Sequence, residues 1–98
     1  MAIGVLIKRV TRHGENAKAI LPHIIELRSI AVRQKGYISG ETFLSIERPD
    51  ECLVISRWTS LEYWQQWRRD PHRIELDGNM ENHLVTQTEY SIYNIDLW

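Results

Sequence analysis

Apolar and polar positions alternate along residues 2–11, with Ile3, Val5 and Ile7 on one side and Leu6 and Val10 on the other. That two-residue period predicts a strand. Residues 13–16 read as a turn. From there Ala17, Ile20, Leu21, Ile24, Leu27 and Ala31 recur at helical spacing and form one apolar stripe. Pro22 lies inside the stripe and should kink the helix or strip its first turns of hydrogen bonds. Arg28 projects into the stripe between Ile24 and Ala31. The helix is expected to end in the cationic run Arg33-Gln34-Lys35, closed by Gly36.

Alternation returns over residues 37–46, where Gly40 permits a bulge or a close approach. Pro49 and Asp50 make residues 47–51 a turn. Residues 52–58 are short, apolar and β-branched, as in a strand buried on both faces. Ser60, with Thr59 as the alternative, caps a helix whose Tyr63, Trp64 and Trp67 share one narrow stripe bordered by Leu61. Asp70-Pro71 supplies a new cap and a first-turn proline for a short helix over residues 71–76. Asp77-Gly78-Asn79 either ends that helix or interrupts one running to about His83. Residues 84–98 predict a long final strand rich in threonine, tyrosine and isoleucine. The order β-α-β-β-α-β implies an α+β, ferredoxin-like domain over residues 1–98 with a four-stranded antiparallel sheet.

Two helices cover only one face of such a sheet, yet Leu6 and Val10 lie opposite Ile3, Val5 and Ile7. Leu53 and Ile55 likewise lie opposite Val54 and Trp58. An uncovered apolar face marks a partner surface, and a second copy related by a two-fold axis is the economical partner. The expectation is a homodimer packed sheet on sheet.

Composition narrows the classes further. Over 98 residues the formal net charge is −1, so nothing suggests binding to nucleic acid or an anionic membrane. The single Cys52 excludes an internal disulfide and a cysteine zinc site and fits a reducing cytoplasm. Lys8-Arg9 breaks the first apolar run too early for a signal peptide or a span.

Three stretches carry a resemblance. Residues 35–42 (KGYISGET), residues 54–62 (VISRWTSLE) and Asp70-Pro71-His72 resemble antibiotic biosynthesis monooxygenase (ABM) domains. The resemblance implies a dimeric α+β barrel. It includes cofactor-free quinol and anthrone monooxygenases, haem-degrading enzymes and proteins with no assigned activity. The haem-degrading branch uses an asparagine in the first strand, a tryptophan on the aromatic helix and a histidine about three turns on. Trp67 fills the tryptophan place, but Ile7 and Asp77 stand near the other two, so haem cleavage is disfavoured.

No phosphate loop and no Cys/His pair at metal-ligand spacing occurs, and His13, His23, His72 and His83 are scattered. A cofactor-free oxygenase needs an electron-rich phenol or enol, a base, a cation for the resulting anion and a dry pocket. His72 is the candidate base because imidazole titrates near neutrality. Arg28 or Arg57 is the candidate cation. Trp58, Tyr63, Trp64 and Trp67 are the candidate walls for a small flat aromatic substrate. No cofactor and no metal is expected. The plain alternative makes the aromatic stripe core, Trp58 a packing anchor, His72 a surface residue and Arg28 a snorkelling side chain. Three readings stand: an oxygenase, marked by a pocket where His72 and an arginine converge; a non-catalytic ligand-binding dimer, marked by a pocket without a base; and a scaffold with a solid core.

Overall fold

A computed structural model describes residues 1–96 of the chain. Four strands, β1 (Ile3–Val10), β2 (Tyr37–Leu44), β3 (Glu51–Trp58) and β4 (Glu89–Asn94), form one antiparallel sheet in the order β2-β3-β1-β4. Helices α1 (Leu21–Ala31), α2 (Leu61–Arg68) and α3 (Pro71–Gly78) complete the ferredoxin-like α+β plan.

Register decides what each face carries, because paired residues of antiparallel strands point the same way. One inner row reads Thr42, Val54, Ile7, Tyr90, and the next reads Gly40, Ser56, Val5, Ile92. The inner residues of β1 and β3 are buried, Ile3, Val5 and Ile7 against Cys52, Val54 and Trp58. Outer residues Leu6, Leu53 and Ile55 stay half-buried in the single chain, so β3 alternates rather than being buried on both faces.

Local chemistry sets the helix boundaries. Asn16 caps a 3-10 turn over Ala17–Ile20, and α1 begins only at Leu21, with Pro22 in its first turn where no hydrogen bond is lost. The helix ends at Ala31, earlier than its cationic run suggests. Arg33 and Gln34 then donate their N–H groups to Ile30 and Ala31 in a turn that closes at Gly36 with φ of 89°. Ser60 caps α2 through an acceptor for the Tyr63 N–H, and Asp70 caps α3 by accepting from His72 and Arg73.

Two further expectations shift. α3 runs to Gly78, and a separate 3-10 turn over Glu81–His83 follows it. The last strand is short, starting at Glu89 rather than at Leu84. Leu84 bridges Thr11, and Glu89 pairs with Lys8, so residues 85–88 face only residues 9 and 10 and cannot keep register. The predicted strand end at residues 97 and 98 lies outside the described residues.

Candidate functional site

A half-enclosed cavity of about 50 Å³ lies between the inner sheet face and the helices. The sheet contributes Ile7, Arg9, Tyr37, Gly40, Val54 and Ser56 to its lining. Helix α1 contributes Ile24, Leu27, Arg28 and Ala31; α2 contributes Trp64 and Trp67; α3 contributes Arg73. The volume holds a few water molecules or a small planar group.

Three guanidinium groups reach this space, and they differ in what balances them. Arg9, 3% exposed, donates to Asp77 Oδ1 at 2.8 Å, while its Nε has no partner. Arg73 is 5% exposed and forms no ion pair among the described residues. It donates to Tyr90 Oη at 2.8 Å and stands 5.5 Å from the Trp64 ring centroid and 5.6 Å from that of Tyr90. The aromatic faces attract it but do not neutralise it. Arg28 donates to Thr42 Oγ1 at 2.7 Å and also forms no ion pair among the described residues. Among the lining residues there is no carboxylate and no imidazole.

Gly40 makes the Arg28 placement possible. A Cβ at that position would lie 2.5 Å from the Tyr37 hydroxyl and 3.1 Å from Arg28 Nε. Burial pushes the Tyr37 hydroxyl above its ordinary pKa, and the neighbouring Arg28 charge pulls the other way. The Cys52 thiol is likewise pushed up by burial, against the pull of Arg9 and Arg28. Trp64, 1% exposed, has an indole N–H with no partner.

The residues singled out in the sequence separate into two groups. Arg28, Trp64 and Trp67 meet at the cavity. Trp58 is fully buried one layer away, donating its indole N–H to Ser56 Oγ at 2.7 Å and packing edge-on to Tyr37 at 5.3 Å. Tyr63 packs on Gly36, where a Cβ would come within 2.4 Å of its ring. Arg57 lies on the outer face, paired with Glu41. His72 is exposed, outside the cavity lining, and its backbone N–H is held by Asp70 at 2.9 Å.

Arg9, Tyr37, Arg73 and Tyr90 were not singled out as site residues, although the pattern carried signals for two of them. Arg9 follows Ile3, Val5 and Ile7 at strand spacing and so inherits their inward face. Arg73 shares a helical face with Leu76, three positions on. Among the described residues, no group of three His, Cys, Asp or Glu side chains could hold a metal ion.

Comparison with known proteins places this arrangement. The family model for antibiotic biosynthesis monooxygenase matches residues 3–75. No curated protein matches the sequence. Among solved structures, a conserved protein from Methanosarcina mazei is similar at 20% identity and a TM-score of 0.86, with 98% of this chain and 94% of that one covered. SnoaB, a cofactor-independent oxygenase from Streptomyces nogalater, is similar at 12% identity and a TM-score of 0.82, with 100% and 97% covered. Rv0793 from Mycobacterium tuberculosis is similar at 14% identity and a TM-score of 0.83, with 97% and 95% covered. The family match over most of the chain, on a fold shared along its length, shows that this protein belongs to the antibiotic biosynthesis monooxygenase family.

Proposed function

We propose that the protein is a cofactor-independent monooxygenase that oxidises a small phenolic or enolisable aromatic compound with O2. One observation carries the reading: in a chain of this family, a cavity walled by Trp64 and Trp67 holds two cations, Arg28 and Arg73, that no carboxylate balances among the described residues. Such a site stabilises the anion of a flat substrate more than its neutral form. The anion then passes an electron to O2. For an activated methylene, one oxygen atom stays as the carbonyl, and the other leaves as water with the two methylene hydrogens.

His72 was the expected base, and its exposure argues for a different division of labour. The arginine field lowers the pKa of the bound substrate, so that its proton passes to water at the open side of the cavity. A second copy seated on the outer sheet face would exclude water from that face, and a homodimer is part of this proposal. The volume of about 50 Å³ accommodates only the reacting edge of such a substrate, with the remainder of the ring at the open side.

The test is oxygen uptake with a panel of quinols and anthrone-like phenols, without added metal or flavin. Uptake by wild type and by His72→Ala at similar rates is expected. A loss of about 10²–10⁴-fold in His72→Ala would restore the histidine as general base. The lack of any base in the cavity lining favours a second reading, a non-catalytic ligand-binding dimer. Ligand-induced stabilisation with no uptake for any substrate would select that reading.

A further inference from the structure

The polar groups that line the cavity are mainly donors. Arg9 Nε and Trp64 Nε1 are buried and unpartnered, and both residues line the same space. Arg73 and Arg28 add guanidinium groups held only by hydroxyl oxygens, those of Tyr90 and Thr42. Two side-chain hydroxyls on the sheet side can accept: Ser56 Oγ already takes the Trp58 indole N–H, and the Tyr37 hydroxyl lies beside Arg28. Buried donors without acceptors are costly, and the cavity beside them is a place where an acceptor belongs.

We propose that this cavity is a carboxylate site: the natural ligand is an aromatic or enolic acid whose carboxylate sits between Arg73 and Arg28. The proposal rests on the functional reading above for the place of binding and not for turnover. A phenolate or enolate offers one charged oxygen, whereas a carboxylate offers two oxygens and about four acceptor positions, a better match to this donor set. Charge agrees as well. Asp77 balances Arg9, so Arg28 and Arg73 remain as two cations. A carboxylate balances one of them permanently, and the enolate or phenolate formed during oxidation balances the other. The volume of about 50 Å³ suits a carboxyl group and the carbon that carries it.

The experiment pairs acids with amides of the same shape on the full chain, in the absence of oxygen. Acetate and benzoate are compared with acetamide and benzamide at constant ionic strength, by thermal melting and by quenching of tryptophan fluorescence. Benzoate should raise the melting temperature and quench fluorescence, with constant affinity from about pH 6 to 9, because carboxyl groups ionise near 4 and arginine stays charged. Benzamide, and chloride at equal concentration, should do neither. Arg28→Gln and Arg73→Met should each weaken benzoate binding by about 10–100-fold, the range for a hydrogen bond to a charged group. If Arg73→Met does not fold, Arg28→Gln and the wild-type acid–amide comparison carry the test. Equal effects of benzoate and benzamide, or of benzoate and chloride, would overturn the carboxylate site. Phenol binding that strengthens toward pH 10 while benzoate does not bind would also overturn it and leave the oxygenase reading standing. Benzoate binding without oxygen uptake would keep the carboxylate site and remove the oxygenase.

Discussion

The two faces of one sheet treat their charges in opposite ways. On the outer face Lys8 lies between Glu51 and Glu89, at 3.8 and 3.6 Å, and Arg57 pairs with Glu41. Around these pairs Phe43 and Tyr93 are exposed, with Leu6, Leu53 and Ile55 half-buried. The inner face is covered by helices and walled by tryptophans; its own strand charge, Arg9, is paired with Asp77, while α1 and α3 bring Arg28 and Arg73 over it without acids. Charges on the outer face are satisfied within the chain, and its apolar residues remain open, as suits docking of a protein surface. The inner face is satisfied in its apolar contacts and unsatisfied in its charges, as suits a small polar ligand. Strand alternation separates the two faces, because neighbouring residues point to opposite sides, and the helices add the unbalanced cations on the inner side.

The largest effects should come from breaking the inner face. Trp64→Ala and Trp67→Ala each remove a buried indole and should cost about 3–5 kcal/mol, read as a lower melting temperature and reduced folded yield. A mild loss in either would mean that the indole mainly lines open space. Next comes the outer face. Tyr93 pairs with Gly4 on that side, so Tyr93→Asp places a charge in the proposed dimer contact. A homodimer should become a monomer or unfold, since an uncompensated buried charge costs several kcal/mol. Sedimentation at low micromolar concentration checks this, and a wild-type monomer would remove the partner role of the outer face.

A smaller effect is expected at Gly40. Gly40→Ala crowds the Tyr37 hydroxyl and Arg28 Nε, both at the ends of movable side chains. The fold should survive, and ligand affinity should fall because Arg28 is displaced. Unchanged affinity would show that the close approach at Gly40 does not set the site.

The smallest effect is a pH dependence. The Cys52 thiol has a pKa raised by burial above its ordinary 9.0, so the unfolded chain releases this proton first. Its contribution to stability is therefore present below about pH 9 and lost as pH rises from there through the folded value. Cys52→Ala should flatten that alkaline decline in urea unfolding. An equal decline in both proteins would assign it to other groups, Tyr37 first, whose hydroxyl is also raised by burial.

Much of the fold was legible because its signals are local. Pro22, Ser60, Asp70 and Gly36 act within one turn of their own positions, and strand alternation separated Ile3, Val5 and Ile7 from Leu6 and Val10. The cavity was legible where the aromatic stripe of α2 supplies Trp64 and Trp67 and where a charged residue interrupts an apolar pattern, as Arg28 does on α1. His72 and Arg73 show the limit. They are adjacent, and the sequence favoured the histidine by its chemistry. The cap at Asp70 fixes the rotation of α3, which turns Arg73 inward and leaves His72 outside. Arg57 was ambiguous for a related reason: its face depends on register with β1 and β2, which is a long-range property.

The contrast between faces is tested most directly by oxygen-uptake kinetics of Arg28→Gln beside Arg57→Gln, on any substrate that wild type turns over. Each substitution removes one guanidinium, from the inner face in one case and from the outer face in the other. The account predicts a fall of about 10–100-fold in kcat/KM for Arg28→Gln and little change for Arg57→Gln. Equal losses, or a loss confined to Arg57→Gln, would contradict it.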